Sequence, residues 1–355
     1  MDADRYQNKR KLVEIESTEQ VRNLELDEGR LFNSAEHHEI MAGHTTDIYF
    51  IKTREMLEHL DLQRAQVTAE VFASASGVFC GINEVKNLLD GRVDELYALP
   101  EGAEFEKKEV VMRISGRYVE FATAETPLLG MLASASAWAT RAKEVKEAAG
   151  NKVAVCFGAR HIHPSVAPVM ERAAMIGGMD GNSCVLAAKL MGKFPMGTVP
   201  HAAIIVAGDT LEIAHAYDEI MPEDDARIIL VDTFKDEAEE TLRVAEFLGE
   251  QLDAVRLDTP KERGRVTTGL VREIRARLDM AGREDVEIFC SGGLNPDRIR
   301  QLADAGADGF GVGSYISAAP SINMTLDLKE VDGKQVAKRG RIPGLNANPR
   351  LEKIF

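Results

Sequence analysis

Apolar and polar positions fall into two textures along this chain. Up to about Phe121 they are mixed. KTREMLEHL (52–60) has helical spacing, and AQVTAEVFASASGVFCGINEVKNLL (65–89) reads as strand, tight turn and helix. KKEVVMRISGRYVEFA (107–122) alternates like an antiparallel strand pair folded at Ser115-Gly116, and AEHHEIMAGH (35–44) reads as a loop. ETPLLGMLASASAWATRAKEVKEAAG (125–150) predicts a long helix that stops at Gly150.

Beyond Gly150 the pattern becomes regular. Short apolar runs recur at VAVCFGAR (153–160), GTVPHAAIIV (197–206), RIILVDTF (227–234), DAVRLDT (253–259), VEIFCSGG (286–293) and DGFGVGSYI (308–316). Helical stretches such as DEAEETLRVAEFLGEQL (236–252) and LVREIRARLDMAG (270–282) separate them. Strands buried on both faces of a parallel sheet read as continuous apolar runs, so this alternation predicts a βα architecture. With a short further strand near MIGGMDGN (175–182), the fold class is α/β: an irregular (β/α) TIM-like barrel. An N-terminal α/β sandwich domain, completed by the C-terminal tail, accompanies it. The boundaries are 1–124 plus 321–355 for the first domain and 125–320 for the barrel.

Composition narrows the partners. With 355 residues, 45% of them hydrophobic, the chain has material for a large core. A net charge of −15 disfavours a nucleic-acid surface or an anionic membrane, so any phosphate must be held by local groups. The opening MDADRYQNKRKLVEIE has no apolar h-region, and no stretch approaches the roughly 18 apolar residues of a membrane span. The expectation is a soluble, cytoplasmic protein. Cys80, Cys156, Cys184 and Cys290 are widely spaced and form no CxxC pair, which reads as buried small hydrophobes rather than a zinc or disulfide framework.

Chemistry concentrates at the ends of the expected strands: Arg160, His201, Asp232, Arg256 with Asp258, Ser291-Gly292-Gly293, and Gly311-Val312-Gly313-Ser314. In a barrel these ends converge on one face, where active sites sit. CSGGLNPDRIRQL and GADGFGVGSYIS each run strand, glycine turn, helix start. Such turns let backbone approach an anion near free helical N–H groups, so Ser291, Gly292, Gly293, Gly311, Gly313 and Ser314 are the expected phosphate binders. Asp232 and Asp258 supply oxygens suited to Mg²⁺ held through water, or to ribose hydroxyls. Arg256 can pair with Asp258 or grip an oxyanion with both arms of its fork. His201 could accept a phosphoryl group or act as acid and base. His161 and His163 would share one face of a strand, without an evident third metal ligand. On the residues alone the chain reads as an enzyme of a phosphorylated sugar and a divalent metal.

FGARHIHPSVAPVMERAAMIGGMDGNSCVLAAKLMGKFPMGTVPHA (157–202) resembles the nicotinate phosphoribosyltransferase family. The likeness extends in family order to TTDIYF (45–50), YVEFATAETPLLGML (118–132), VRLDT (255–259), SGGLN and GVGSYIS. It implies transfer of a phosphoribosyl group from phosphoribosyl pyrophosphate to nicotinate, with Mg²⁺ and with ATP as co-substrate. It also implies a homodimer or larger homo-oligomer with shared sites. Tyr49 would enter a neighbour's site and stack on the pyridine, with Phe157 on the other face. Arg160 and Arg256 would bind carboxylate or phosphate, with Arg117 also open, and Asp180 would lie near the ring. His201 would be phosphorylated by ATP, while Asp232 and Asp258 would serve the reacting ribose. The chain departs from the pattern at Arg160-His161, where many members have two arginines. It departs again at Pro200-His201-Ala202, where many read AHS, and it lacks a C-terminal cysteine cluster. The alternatives are a quinolinate or nicotinamide transferase, or a sugar-phosphate sensor without catalysis. The segment ARHIHPSVAP lacks the lysine and second arginine that a second carboxylate would require.

Overall fold

The computed structural model describes residues 14–26 and 30–355. MDADRYQNKRKLV, the part of the opening read for a leader signal, lies outside the described residues. The chain divides into two compact units: residues up to Ala137 together with Pro320–Phe355, and Trp138–Ala319. The helix Glu125–Ala149 runs through the division.

The first unit is built on a six-stranded sheet. Its central strand Gln66–Ala73 pairs antiparallel with Val110–Arg117 on one side and with the tail strand Met324–Val331 on the other. Ala69, Val71 and Ala73 point into the core and are fully buried, as the period-2 pattern demands. The opposite face carries charge. Buried Glu70 accepts from Arg113 Nη2 at 2.7 Å, a cross-strand ion pair, and from Asn346 Nδ2 at 2.7 Å, a hydrogen bond that ties the tail to the sheet. The segment at 107–122 is one strand, not a hairpin. Ser115 and Gly116 continue the ladder opposite Thr68 and Val67, and the helix Tyr118–Phe121 follows. Gly116 is there for close approach: a Cβ would come within 3.2 Å of the Asp94 amide nitrogen. His37–Met41, expected as loop, is a short helix.

Glu125, on the first turn of the long helix, is pushed up to about 7 by burial, with Asp327 adding repulsion and Lys338 opposing it. A carboxyl raised in the folded state contributes stability at low pH that is lost as pH rises through its folded value. Between roughly pH 4.5 and 7 the protein should therefore lose about 2 kcal/mol relative to Glu125→Gln, after allowance for solvent screening. Denaturant melts of both proteins from pH 4.5 to 8 check this. A constant difference across the range would refute it.

The second unit holds a parallel six-stranded sheet. Its order is Gly181–Asn182, Val153–Cys156, Gly309–Val312, Glu287–Cys290, Ala254–Leu257, Ile228–Leu230. Val255, Ile288, Cys290, Phe310 and Val312 are fully buried, which is why each strand reads as an unbroken apolar run. Cys156 and Cys290 are free, buried thiols, and burial pushes Cys290 up to about 12.

Two expectations fail here, for one reason. The sheet has open edges at Gly181–Asn182 and Ile228–Leu230, so among the described residues it is a half-barrel, not a closed TIM-like barrel. The chain between those edges is helical: Val185–Leu190, His201–Ala207 and Thr210–Ile220. GTVPHAAIIV was expected as a strand because it is β-branched and apolar. Pro200 instead caps a helix in extended conformation; Ile204 is its buried residue, packed against Val199 and Leu230, with Ala203 partly buried beside it. Ile205 is 59% exposed and Val206 89%, so the run has a helical face rather than two buried strand faces.

Candidate active site

Four strands of the second unit deliver polar groups to their C-terminal ends. Arg256, on Ala254–Leu257, lies at the centre. Its Nε donates to Ser291 Oγ at 2.9 Å, Nη1 to Thr198 Oγ1 at 2.6 Å, and Nη2 to Asp258 Oδ2 at 3.3 Å. Ser291 in turn donates to Asp258 Oδ1 at 2.9 Å. Guanidinium, hydroxyl and carboxylate therefore form a closed ring of hydrogen bonds across two neighbouring strands. Burial holds the Arg256 guanidinium below the ordinary arginine value, with Asp258 and Asp232 opposing and Arg160 adding to the effect. It stays charged all the same.

Phe157 extends its strand by donating its backbone N–H to Val312 O at 2.9 Å, and its ring fills the space a Cβ on Gly311 would need. Arg256 sits over that ring, 5.2 Å from its centroid. Next along the sheet, Asp232 follows Ile228–Leu230. Its side chain is 0% exposed, and neither of its oxygens accepts a hydrogen bond. His201 Nε2 lies 3.2 Å from Oδ1, within ion-pair distance. Burial pushes the Asp232 carboxyl up, His201 pulls it down, and Asp258 raises it again.

Both glycine turns are present. Gly292 and Gly293 have φ of +93° and +65°, and Asn295 caps the following helix Pro296–Asp304 by accepting from the Arg298 N–H. Gly313 precedes the short helix Ser314–Ser317, and the His161 ring packs where its Cβ would be, with Nε2 at 2.8 Å from that position.

The structure thus brings together Phe157, Arg256, Asp258 and Ser291–Gly293, with Gly311 under the Phe157 ring and His201 paired to Asp232. Arg160 is exposed on the turn Ala159–His161, near enough for its charge to bear on Arg256. Asp180 is not with them. Its Oδ2 accepts from Lys146 Nζ and from the Ala154 N–H, both at 2.8 Å, which anchors it at the N-terminal end of the strand Val153–Cys156. Tyr49 belongs to the first unit, is 55% exposed and leans on Phe50. His161 and His163 share no strand face, and among the described residues no cluster of three metal-ligating side chains occurs.

Three contributors escaped sequence reasoning. Thr198 shares Arg256. Arg265 lies over the 291–293 turn. Glu171, on Ala167–Ile176, is fully buried and accepts from the Ala159 N–H at 3.0 Å, Ser183 Oγ at 3.1 Å and the Cys184 N–H at 2.6 Å. It clamps the Arg160 turn to the loop after the edge strand.

A parallel half-barrel that carries a cation, carboxylates and glycine turns on one edge makes the second unit an α/β fold with its polar groups gathered at the strand ends. Sequence comparison is consistent with that class. The quinolinate phosphoribosyl transferase N-terminal domain matches residues 47–136 and the C-terminal domain matches 138–327, so the chain belongs to the quinolinate phosphoribosyl transferase family. A nicotinate phosphoribosyltransferase of Mycobacterium tuberculosis is 32% identical over 249 residues, 67% of this chain and 52% of the relative. The nicotinate phosphoribosyltransferase of Bacillus subtilis is 30% identical over 271 residues, 73% of this chain and 54% of the relative. The chain thus spans about half the length of these curated relatives. The nicotinate-nucleotide pyrophosphorylase of Pyrococcus furiosus superposes with a TM-score of 0.86 at 44% identity, covering 89% of this chain and 82% of that one. Human nicotinic acid phosphoribosyltransferase shares the fold, with a TM-score of 0.66 at 20% identity over 85% of this chain and 77% of that one. No helix among the described residues is long and apolar enough to cross a membrane.

Proposed function

We propose that this chain joins the ring nitrogen of nicotinate to the ribose of phosphoribosyl pyrophosphate, releasing pyrophosphate and forming nicotinate mononucleotide for NAD salvage. The observation that carries the reading is the Arg256–Ser291–Asp258 ring of hydrogen bonds, set between an aromatic face and a glycine turn. The pyridine lies on Phe157, with Tyr49 of a second copy on its other face. Arg160 and Arg256 hold its carboxylate. The turns at 291–293 and 311–314 hold the 5′-phosphate. As the pyrophosphate leaves, positive charge grows on the ribose, and Asp258 and Asp232 stabilise it electrostatically. The pyridine nitrogen attacks with its own lone pair, so no strong base is required.

Mg²⁺ fits this edge. Asp232 is a carboxylate with no hydrogen-bond donor on either oxygen, and hard carboxylate oxygens suit an ion that keeps several waters and binds substrate oxygens. Asp232 and Asp258 would hold it, and it would neutralise charge on the departing pyrophosphate. His201 remains accessible, and Asp232 beside Nε2 leaves the other ring nitrogen to take a phosphoryl group from ATP. That group would drive the equilibrium rather than the bond exchange.

A second reading, quinolinate as acceptor, is favoured by the family to which the chain belongs. The test is pyrophosphate release from phosphoribosyl pyrophosphate and Mg²⁺ with nicotinate, nicotinamide or quinolinate, each with and without ATP. Release with nicotinate alone is expected. Release with quinolinate, accompanied by carbon dioxide, would transfer the reading to the second acceptor, and release with nicotinamide to the amide. No release with any pyridine, alongside tight sugar-phosphate binding, would leave a sensor. His201→Ala is expected to lose the ATP stimulation and keep transfer. Loss of transfer with and without ATP would overturn its assigned role.

A further inference from the structure

Arg265 stands out on three independent observations. It is one of the few non-glycine residues at positive φ, +65°. Its guanidinium occupies the space a Cβ on Gly293 would fill, so the turn is shaped around this side chain. Its Nη1 donates to Gly292 O at 3.1 Å, a bond that leaves most of its donors uncommitted. A positive φ is strained for a non-glycine residue, and such strain collects where a side chain must be aimed. Here the aim is at the backbone of a phosphate-type turn. Asp258 Oδ1 lies on the other side of that turn, 3.0 Å from the Cβ position of Gly292.

We propose that Arg265 is the cation that grips the 5′-phosphate of the phosphoribosyl group on the Gly292–Gly293 turn. This rests on the proposed phosphoribosyl transfer and names the phosphate subsite within it. With a net charge of −15 the overall field does not favour a phosphate and the turn's own N–H groups carry only partial charge, so a full positive charge at the turn supplies what they lack. The Gly292 carbonyl fixes one arm of the fork, and the remaining N–H groups present a planar edge to two phosphate oxygens. The residue contacts the end of the ribose remote from the bond that breaks, so it acts in binding rather than in the chemical step.

The experiment is calorimetric binding of ribose 5-phosphate, with ribose as control, to the wild type, Arg265→Lys and Arg265→Ala. Thermal melts confirm that each variant is folded. The dissociation constant for ribose 5-phosphate should rise tenfold to a hundredfold in Arg265→Ala, roughly the worth of a lost charge-assisted pair. Arg265→Lys should fall between, because it keeps the charge without the fork. In turnover, KM for phosphoribosyl pyrophosphate should rise by a similar factor while kcat and KM for the pyridine stay within about twofold. Equal affinity in the wild type and Arg265→Ala would overturn the proposal, as would a wild type that does not distinguish ribose 5-phosphate from ribose. Phosphate-dependent binding lost in Arg265→Ala, in a wild type that transfers to no pyridine, would keep this subsite and remove the proposed reaction. Normal transfer with unchanged affinity in the variant would do the reverse.

Discussion

Arg256→Ala is expected to lower pyrophosphate release about a thousandfold, and Arg256→Lys about a hundredfold. The size follows from how many groups one guanidinium orders. It donates to Ser291, Thr198 and Asp258 at once, and those partners come from three separate segments of the second unit. Alanine leaves the Asp258 carboxylate without its counter-charge and frees the Thr198 hydroxyl to turn. Lysine restores the charge but cannot reach three partners from one ammonium. If Arg256 also holds the pyridine carboxylate, as proposed, kcat/KM for nicotinate should fall further than kcat alone. Stability should change much less, by about 1–3 kcal/mol, because Asp258 keeps the Ser291 bond and some solvent. A kinetic comparison of the three proteins at saturating phosphoribosyl pyrophosphate decides the matter. An alanine variant within tenfold of wild type would mean that Arg256 is only a structural tie.

The strands of the second unit were legible because burial on both faces leaves an unbroken apolar signal, and their ends were legible because polar groups recur there. Arg256, Asp258 and Ser291 could be named for that reason alone. The closed barrel was not, because closure depends on what the segment between the edge strands does. There the residues mislead: Ile204, Ile205 and Val206 look alike in sequence, and only their separation into buried and exposed positions shows a helix. Gly116 misled in the opposite direction, since a glycine admitted for close packing looks the same as one admitted for a turn. Asp180 follows a glycine pair, as site residues often do, yet its partner Lys146 is set by how the long helix packs. Arg265 and Glu171 carry no local signal at all. Each finds its partners only in the fold: Arg265 reaches Gly292, 27 positions on, and Glu171 reaches groups 12 and 13 positions away, with no pattern between them that announces the pairing.

Glu171→Ala should be strongly destabilising, by about 3–5 kcal/mol. The carboxylate is fully buried, burial pushes it up, and three donors aimed at it pull it back toward the charged form. Removing it strands the Ala159 and Cys184 N–H groups and the Ser183 hydroxyl in a region with little access to water, and adds a cavity. Glu171→Gln separates these effects. Its volume is kept and its amide oxygen can still accept from two donors. Its NH2 group, however, must face a donor where Oε2 now accepts from Cys184. An intermediate loss of about 2 kcal/mol is expected. Because the same carboxylate ties down the turn that carries Arg160, the glutamine variant should also raise KM for the pyridine more than KM for phosphoribosyl pyrophosphate. Urea melts and the two KM values together are decisive. Wild-type stability in Glu171→Ala would show that the three donors have other partners, and an unchanged KM ratio in Glu171→Gln would show that Arg160 is held in place without it.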